Sequence, residues 1–227
     1  MELVSNPDEL ISTQGYFLPH HCVIKETSSS TKLRPAFNAS QGTDLGISLN
    51  EVLHSGPKLQ TELLDVILRW RCYPIVFTAG IEKMFRRIWI YPEECTYQKI
   101  LWKSHPDEEL NTYCLKTVTF GFASAPYLGI RTLHQLTDDE GNNFPLATDI
   151  LRNEINVNDF LSGAYEFDTT IEKRRQVSLL LKAGGFILRK WLSNCEDVLQ
   201  GVLEDYKEKA SSYEFTQETI HRALGIL

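Results

Sequence analysis

Glu154-Ile155-Asn156-Val157-Asn158-Asp159-Phe160-Leu161-Ser162-Gly163 is the stretch on which the fold of this chain turns. It reads as two short strands joined at Asn158-Asp159. Asn suits such a turn because it tolerates left-handed dihedrals. Upstream, Ile75–Ala79 is a short apolar, β-branched run that predicts a buried strand.

Around these strands the pattern alternates between two periods. Tyr16–Lys25 and Lys32–Ala39 read as strands, with the hydroxyl run Ser28-Ser-Ser-Thr31 as the loop between them. Ser48-Leu-Asn-Glu51 is a capping box that opens a short helix. After Pro57, the residues Leu59, Leu63, Leu64, Ile67 and Leu68 have helical spacing. Phe85–Tyr91 and Tyr97–Lys103 are predicted as strands on either side of Pro92-Glu-Glu, and Tyr113–Phe120 as another. Ser124-Ala-Pro126 starts a helix carrying Leu128, Ile130, Leu133 and Leu136, which Asp138-Asp-Glu-Gly141 ends. Thr169 and Glu172 form a capping box before Val177–Ala183, and Gly184-Gly185 stops that helix. The tail from Glu196 is acidic and helical in character. This order predicts an α+β fold rather than a parallel doubly wound sheet.

Composition sets the outer bounds. At 227 residues, with 42% hydrophobic and 23% charged residues, the chain can build a sizeable core. No apolar run approaches the ~18 residues of a membrane span. Met1 to Gly15 is acidic and polar with no signal-peptide pattern, which predicts a cytosolic or nuclear protein. The five cysteines, Cys22, Cys72, Cys95, Cys114 and Cys195, are widely spaced and read as free thiols. His20-His21-Cys22 looks metal-like, but adjacent strand residues point to opposite faces, and no partner pair lies at zinc-site spacing. The net charge of −7 is uneven. Residues 16–104 hold 11 Lys/Arg and 8 Asp/Glu, whereas 105–227 hold 12 and 19. The N-terminal half can face phosphates; the C-terminal half cannot do so uniformly.

Seven stretches in order resemble the reverse-transcriptase domain of Pao/BEL-type LTR retrotransposons. They are Tyr16–Lys25, Lys32-Leu-Arg-Pro-Ala-Phe-Asn-Ala-Ser40, Ser48-Leu-Asn-Glu-Val-Leu, Ile81-Glu-Lys-Met-Phe85, Thr117-Val-Thr-Phe-Gly121 with Ala123-Ser-Ala-Pro126, Phe160-Leu-Ser-Gly163, and Gly184-Gly-Phe-Ile-Leu-Arg-Lys-Trp-Leu-Ser-Asn194. A weaker echo lies at Ala223-Leu-Gly-Ile226. The resemblance implies a right-hand polymerase. It divides the chain into an N-terminal extension (1–15), fingers and palm (16–195) and a partial thumb or connection segment (196–227). It also implies templated DNA synthesis from dNTPs on an RNA or DNA template–primer, with two Mg²⁺ ions and no membrane partner. Oligomeric state is left open.

The resemblance also assigns roles. Two-metal phosphoryl transfer needs a concentrated set of carboxylates. In the family, one aspartate lies on the strand matching Ala79–Ile81 and two on the hairpin matching Asn158-Asp159. Here those positions are Gly80, Asn158 and Asp159, so only Asp159 is retained, as a residual metal ligand. Glu82 lies two residues further along the strand, which shifts its carboxylate by about 6–7 Å. Arg34 and Lys25 match positions that grip the incoming triphosphate, and Arg suits a bidentate phosphate contact. Phe85 matches the aromatic gate against a ribose 2′-hydroxyl. Gly121 through Pro126 match the segment lining nucleotide and template, where Gly allows close approach. Lys190 matches a general acid toward pyrophosphate. Each has a plainer reading: a charged strand face, a core aromatic, a strand-to-helix turn, a solvated lysine. Trp70, Trp89, Trp102 and Trp191 could stack bases, but core packing is the commoner use and the one expected. Asn38 replaces the more usual Asp.

Two lost carboxylates predict an inactive polymerase. Three present functions remain open: a surviving polymerase, a nucleic-acid-binding module without chemistry, and a decayed reading frame. The family would run on past Leu227 toward ribonuclease H, which favours the third.

Overall fold

The computed structural model describes residues 1–4, 15–26 and 32–208. The Ser28–Thr31 loop and the Ala223–Ile226 echo lie outside the described residues. The chain divides into two interleaved compact units, Met1–Pro57 with Phe85–Gly129, and Lys58–Met84 with Ile130–Leu227.

The first unit is strand-rich. Strand β1 (Glu2–Leu3) pairs with β6 (Asn111–Cys114), which pairs with β5 (Lys99–Trp102), all antiparallel. A separate hairpin joins β2 (His20–Ile24) to β3 (Leu33–Phe37), with Val23 opposite Arg34. Its core gathers Leu18, Ala39, Leu49 and Ile100, with Tyr16, Phe37, Tyr113 and Phe122 packed against them. Helix α1 (Leu49–Val52) forms behind the predicted capping box. The Ser48 N–H donates to Glu51 Oε2 at 2.6 Å.

The second unit carries the central sheet. Its four antiparallel strands run in the order β7 (Ile155–Asn156), β8 (Asp159–Ala164), β4 (Ile75–Ile81), β9 (Leu188–Ser193). Helices α2 (Leu63–Arg71), α4 (Pro145–Asn153) and α5 (Phe167–Ala183) pack on it, and α4 packs on α5. Helix α3 (Ala125–Glu140) contributes the fully buried Leu133. Phe77, Phe160, Ile150, Leu151, Val177, Leu180 and Leu181 are buried. Two clamps fix the central strand. The Val76 N–H donates to Asn194 Oδ1 at 2.9 Å, and Asn194 Nδ2 donates to the Pro74 carbonyl at 2.8 Å.

At the foot of the hairpin lies a buried ion pair. Lys173 Nζ donates to Glu154 Oε1 at 3.2 Å and to the Gly163 carbonyl at 3.0 Å. The Tyr73 hydroxyl donates to the same carboxylate at 3.3 Å. Burial, reinforced by the negative charge of Glu154, pushes the Tyr73 hydroxyl above its ordinary pKa.

Several expectations need correction. Phe85–Tyr91 is not a strand. Met84–Arg87 coils into a 3₁₀ turn, and only Trp89 bridges to Thr117. The cause is Lys83, whose φ of 51° turns the chain out of the extended path of β4. Likewise, Pro92–Gln98 is a 3₁₀ segment. Strand β6 ends at Cys114, well short of Phe120. Helix α5 starts at Phe167, so Thr169 lies inside it and caps nothing; Glu166 is the cap position. Helix α4, with Pro145 at its start, was not predicted at all. In its described part the tail is not α-helical: it forms 3₁₀ turns at Glu196–Leu199 and Glu204–Tyr206, and Lys207 bridges to Trp191. Of the four tryptophans only Trp191 is core, tilted against Phe77; Trp89 is 76% exposed. No helix among the described residues is long and apolar enough to cross a membrane.

Candidate functional site

The second unit brings Gly80, Asn158, Asp159 and Lys190 together. Strand register puts Asp159 directly opposite Gly80, and Gly80 opposite Arg189 on its other side. The turn linking β7 and β8 consists of Val157 and Asn158, because Asn156 pairs with Asp159. It therefore falls one residue earlier than the sequence suggested. The left-handed residue is Val157, with φ of 53°, and not Asn158. A β-branched residue there is strained. What holds it is Gln60, whose Oε1 accepts the Val157 N–H at 3.1 Å.

A second irregularity lies across the sheet. Between Thr78 and Gly80 the pairing with β9 shifts register, so two residues of β9 oppose the single residue Ala79. Lys190 is the left-handed residue of this bulge, with φ of 58°. The bulge sets its charge where it acts on Asp159. Two of the three non-glycine residues with positive φ among the described residues, Val157 and Lys190, thus lie on the strands flanking Gly80 or in the turn beside Asp159; the third, Lys83, follows the end of β4. Such clustering of backbone strain is characteristic of functional sites.

The charges at this site do not resemble a two-metal trap. Asp159 is half-buried. Burial raises its carboxyl above the ordinary 3.8, and the nearby Lys190 opposes that rise. Asn158 Nδ2 donates to Asp159 Oδ1 at 3.3 Å, so the neighbouring amide partners this carboxylate. Glu82 offers no replacement, because its carboxylate lies 3.5 Å from Arg189 Nε. Arg189 is engaged in turn: Nη1 donates to the Asp205 carbonyl at 3.0 Å, and the guanidinium stacks 3.9 Å above the Tyr206 ring. Gly80 is closely approached as well. A Cβ there would lie 2.8 Å from Asp159 Oδ1, so Asp159 fills the space a side chain at 80 would need. Among the described residues no group of three or more His, Cys, Asp or Glu side chains could hold a metal ion. One carboxylate, one amide donor and one lysine do not fit a pair of divalent cations, which require several oxygen donors.

The other predicted residues belong to the first unit. Lys25 and Arg34 are exposed on the β2–β3 hairpin, and the Lys25 N–H donates to the Lys32 carbonyl at 2.8 Å. Phe85 is buried, 6% exposed, and meets Phe120 edge-on with ring centroids 4.9 Å apart. Gly121 has φ of 92°, and a Cβ on it would lie 2.7 Å from the Phe37 carbonyl. Its glycine is thus required by the fold itself. His20 Nδ1 donates to the Leu18 carbonyl at 3.2 Å, and the ring packs near Phe37 and Trp102; it is structural. Sequence reasoning missed Gln60, Asn50 and Asn194, polar side chains that clamp backbone. Only their positions inside the quoted motifs or just before a predicted helix hinted at them.

The chain has the α+β fold of a reverse-transcriptase-type polymerase. Among solved structures it is similar to the native protease–reverse transcriptase of prototype foamy virus, at 16% identity over 78% of this chain and 21% of that one, with a TM-score of 0.57. It is also similar to the foamy viral protease–reverse transcriptase dRH in complex with double-stranded DNA (16% identity, 77% and 27% covered, TM-score 0.56). The same enzyme in complex with an RNA/DNA hybrid matches at 14% identity, with 77% and 20% covered and a TM-score of 0.57. The chain spans about a fifth to a quarter of the length of these proteins. No protein-family model and no curated protein matches it.

Proposed function

We propose that this chain is a reverse-transcriptase-type domain of Pao/BEL retroelement descent that has lost two-metal polymerisation and binds a template–primer without chemistry. The observation that carries the reading is the row Arg189–Gly80–Asp159, with Asn158 donating to the one carboxylate left. Polymerisation of this class requires metal ions to activate the primer hydroxyl and neutralise the developing phosphate charge. The residues in those positions supply too few oxygens to hold them.

Nucleic acid is the ligand class because two of the similar foamy viral structures are complexes, one with double-stranded DNA and one with an RNA/DNA hybrid. Lys25 and Arg34 are the phosphate contacts proposed here. A template–primer is favoured over a dNTP. Without Mg²⁺ the triphosphate charge would fall on those two side chains alone, whereas a strand distributes its charge along many contacts. The resemblance over seven ordered motifs supports the Pao/BEL origin.

The test is primer extension on an RNA template with dNTPs and Mg²⁺ or Mn²⁺, run beside binding of a labelled hybrid in EDTA. The expected result is no extension, with metal-independent binding that weakens as salt rises. Arg34→Ala is expected to lower that affinity and to flatten its salt dependence by about one unit of slope. Template-dictated incorporation by the unaltered chain would refute the reading, and so would absence of any hybrid binding at low salt.

A further inference from the structure

Asn50 makes more polar contacts than its place in a four-residue helix requires. Its N–H donates to the Ala39 carbonyl at 3.0 Å. Its side-chain Nδ2 donates to Ser40 Oγ at 2.9 Å and to the Gly121 carbonyl at 2.8 Å. Its Oδ1 accepts the Ala123 N–H at 2.8 Å. The side-chain amide thus meets a carbonyl and an N–H two residues apart, as a neighbouring strand would. It does so for a loop more than seventy residues further along the chain.

That loop, residues 120–123, has no strand or helix of its own to order it. Gly121 turns it through a left-handed conformation against the Phe37 carbonyl. Phe120 precedes the turn, 51% exposed, with its ring resting on buried Phe85. Arg86, exposed, follows Phe85 directly. An exposed aromatic face is a surface on which the bases of a nucleic-acid strand stack. Such a face is effective when the loop bearing it is already ordered, since ordering otherwise subtracts from affinity.

We infer that Asn50 is a positioning residue, one that holds the Phe120–Ala123 loop in the conformation that receives a nucleic-acid strand. The inference rests on the nucleic-acid-binding reading above. Asn50 carries no charge and touches the loop through two hydrogen bonds, so its effect is on preorganisation, not on phosphate contacts.

The experiment measures affinity for a labelled RNA/DNA hybrid in EDTA, across salt, at a temperature where every variant is folded. Asn50→Ala is compared with Ser40→Ala, which removes another hydrogen bond of the same side chain but leaves the loop contacts intact. Asn50→Ala is expected to lose about five- to tenfold in affinity, the scale of one preorganising hydrogen bond. Its salt slope is expected to stay that of the unaltered protein. Amide exchange at Ala123 is expected to accelerate in Asn50→Ala only. Hybrid affinity in Asn50→Ala equal to the unaltered protein, or an equal loss in Ser40→Ala, would overturn the inference and leave the proposed function standing. Failure of the unaltered protein to bind the hybrid would overturn both.

Discussion

Gly80 and Asp159 face each other across two strands, and the carboxylate of one occupies the space left by the other. Burial holds the Asp159 carboxyl above its ordinary 3.8, so the folded protein takes up this proton more readily than the unfolded chain. The associated stability is fully present below about pH 3.8, the unfolded value, and is lost as pH rises through the raised folded value. Asp159→Asn removes the buried charge. Its melting temperature is expected to exceed that of the unaltered protein by about 2 °C at pH 7, and the gain should fade on acidification toward pH 3.8. A lower melting temperature at pH 7 would mean that Lys190 and Asn158 more than compensate for burial. At this scale the sequence foresaw which residues lie together and less of their geometry. It placed Gly80, Asn158 and Asp159 in one site through resemblance. It did not show that Val157, not Asn158, takes the left-handed turn, because turn propensity favours Asn and only the strand register decides.

Among the elements, the hairpin is held by contacts that its own sequence does not advertise. Val157 is strained, and Gln60 accepts its N–H from far along the chain. Val157→Gly is expected to stabilise the protein by about 1 kcal/mol, the relief of left-handed strain less the added chain entropy. Urea denaturation reads this, and an unchanged midpoint would show that the strain is negligible. Deeper in the same element, Lys173 neutralises buried Glu154. Lys173→Met leaves that carboxylate unpaired and is expected to cost about 3–5 kcal/mol in the same measurement. A loss below about 1 kcal/mol would show that water reaches Glu154. The helix at Leu63–Arg71 was legible from its spacing although Leu64 and Leu68 are exposed and Val66 is its buried residue, and the apolar run from Ile75 was legible because burial reinforces local preference there. Phe85–Tyr91 was not, because its aromatic pattern suits a strand while the φ of Lys83 redirects the backbone. Helix α4 did carry a signal, Pro145 at its start and Ala147, Ile150 and Leu151 at helical spacing, all three now buried.

At the scale of the whole molecule, the α+β fold is that of a reverse-transcriptase-type polymerase, and among the described residues no group of three or more His, Cys, Asp or Glu could hold a metal ion. Fold and chemistry separate readily, because core packing does not depend on a few polar side chains at a strand end. Each unit keeps its own buried core. The account stands or falls on whether this site holds divalent cations. The most direct measurement is Mn²⁺ binding, followed by loss of the free-ion magnetic-resonance signal, in the unaltered protein and in Gly80→Asp/Asn158→Asp. The account predicts no site in the unaltered protein and at least one in the double variant, where Asp159 is drawn from the Gly80 space toward the metal. Mn²⁺ binding by the unaltered protein that disappears in Asp159→Asn would contradict it.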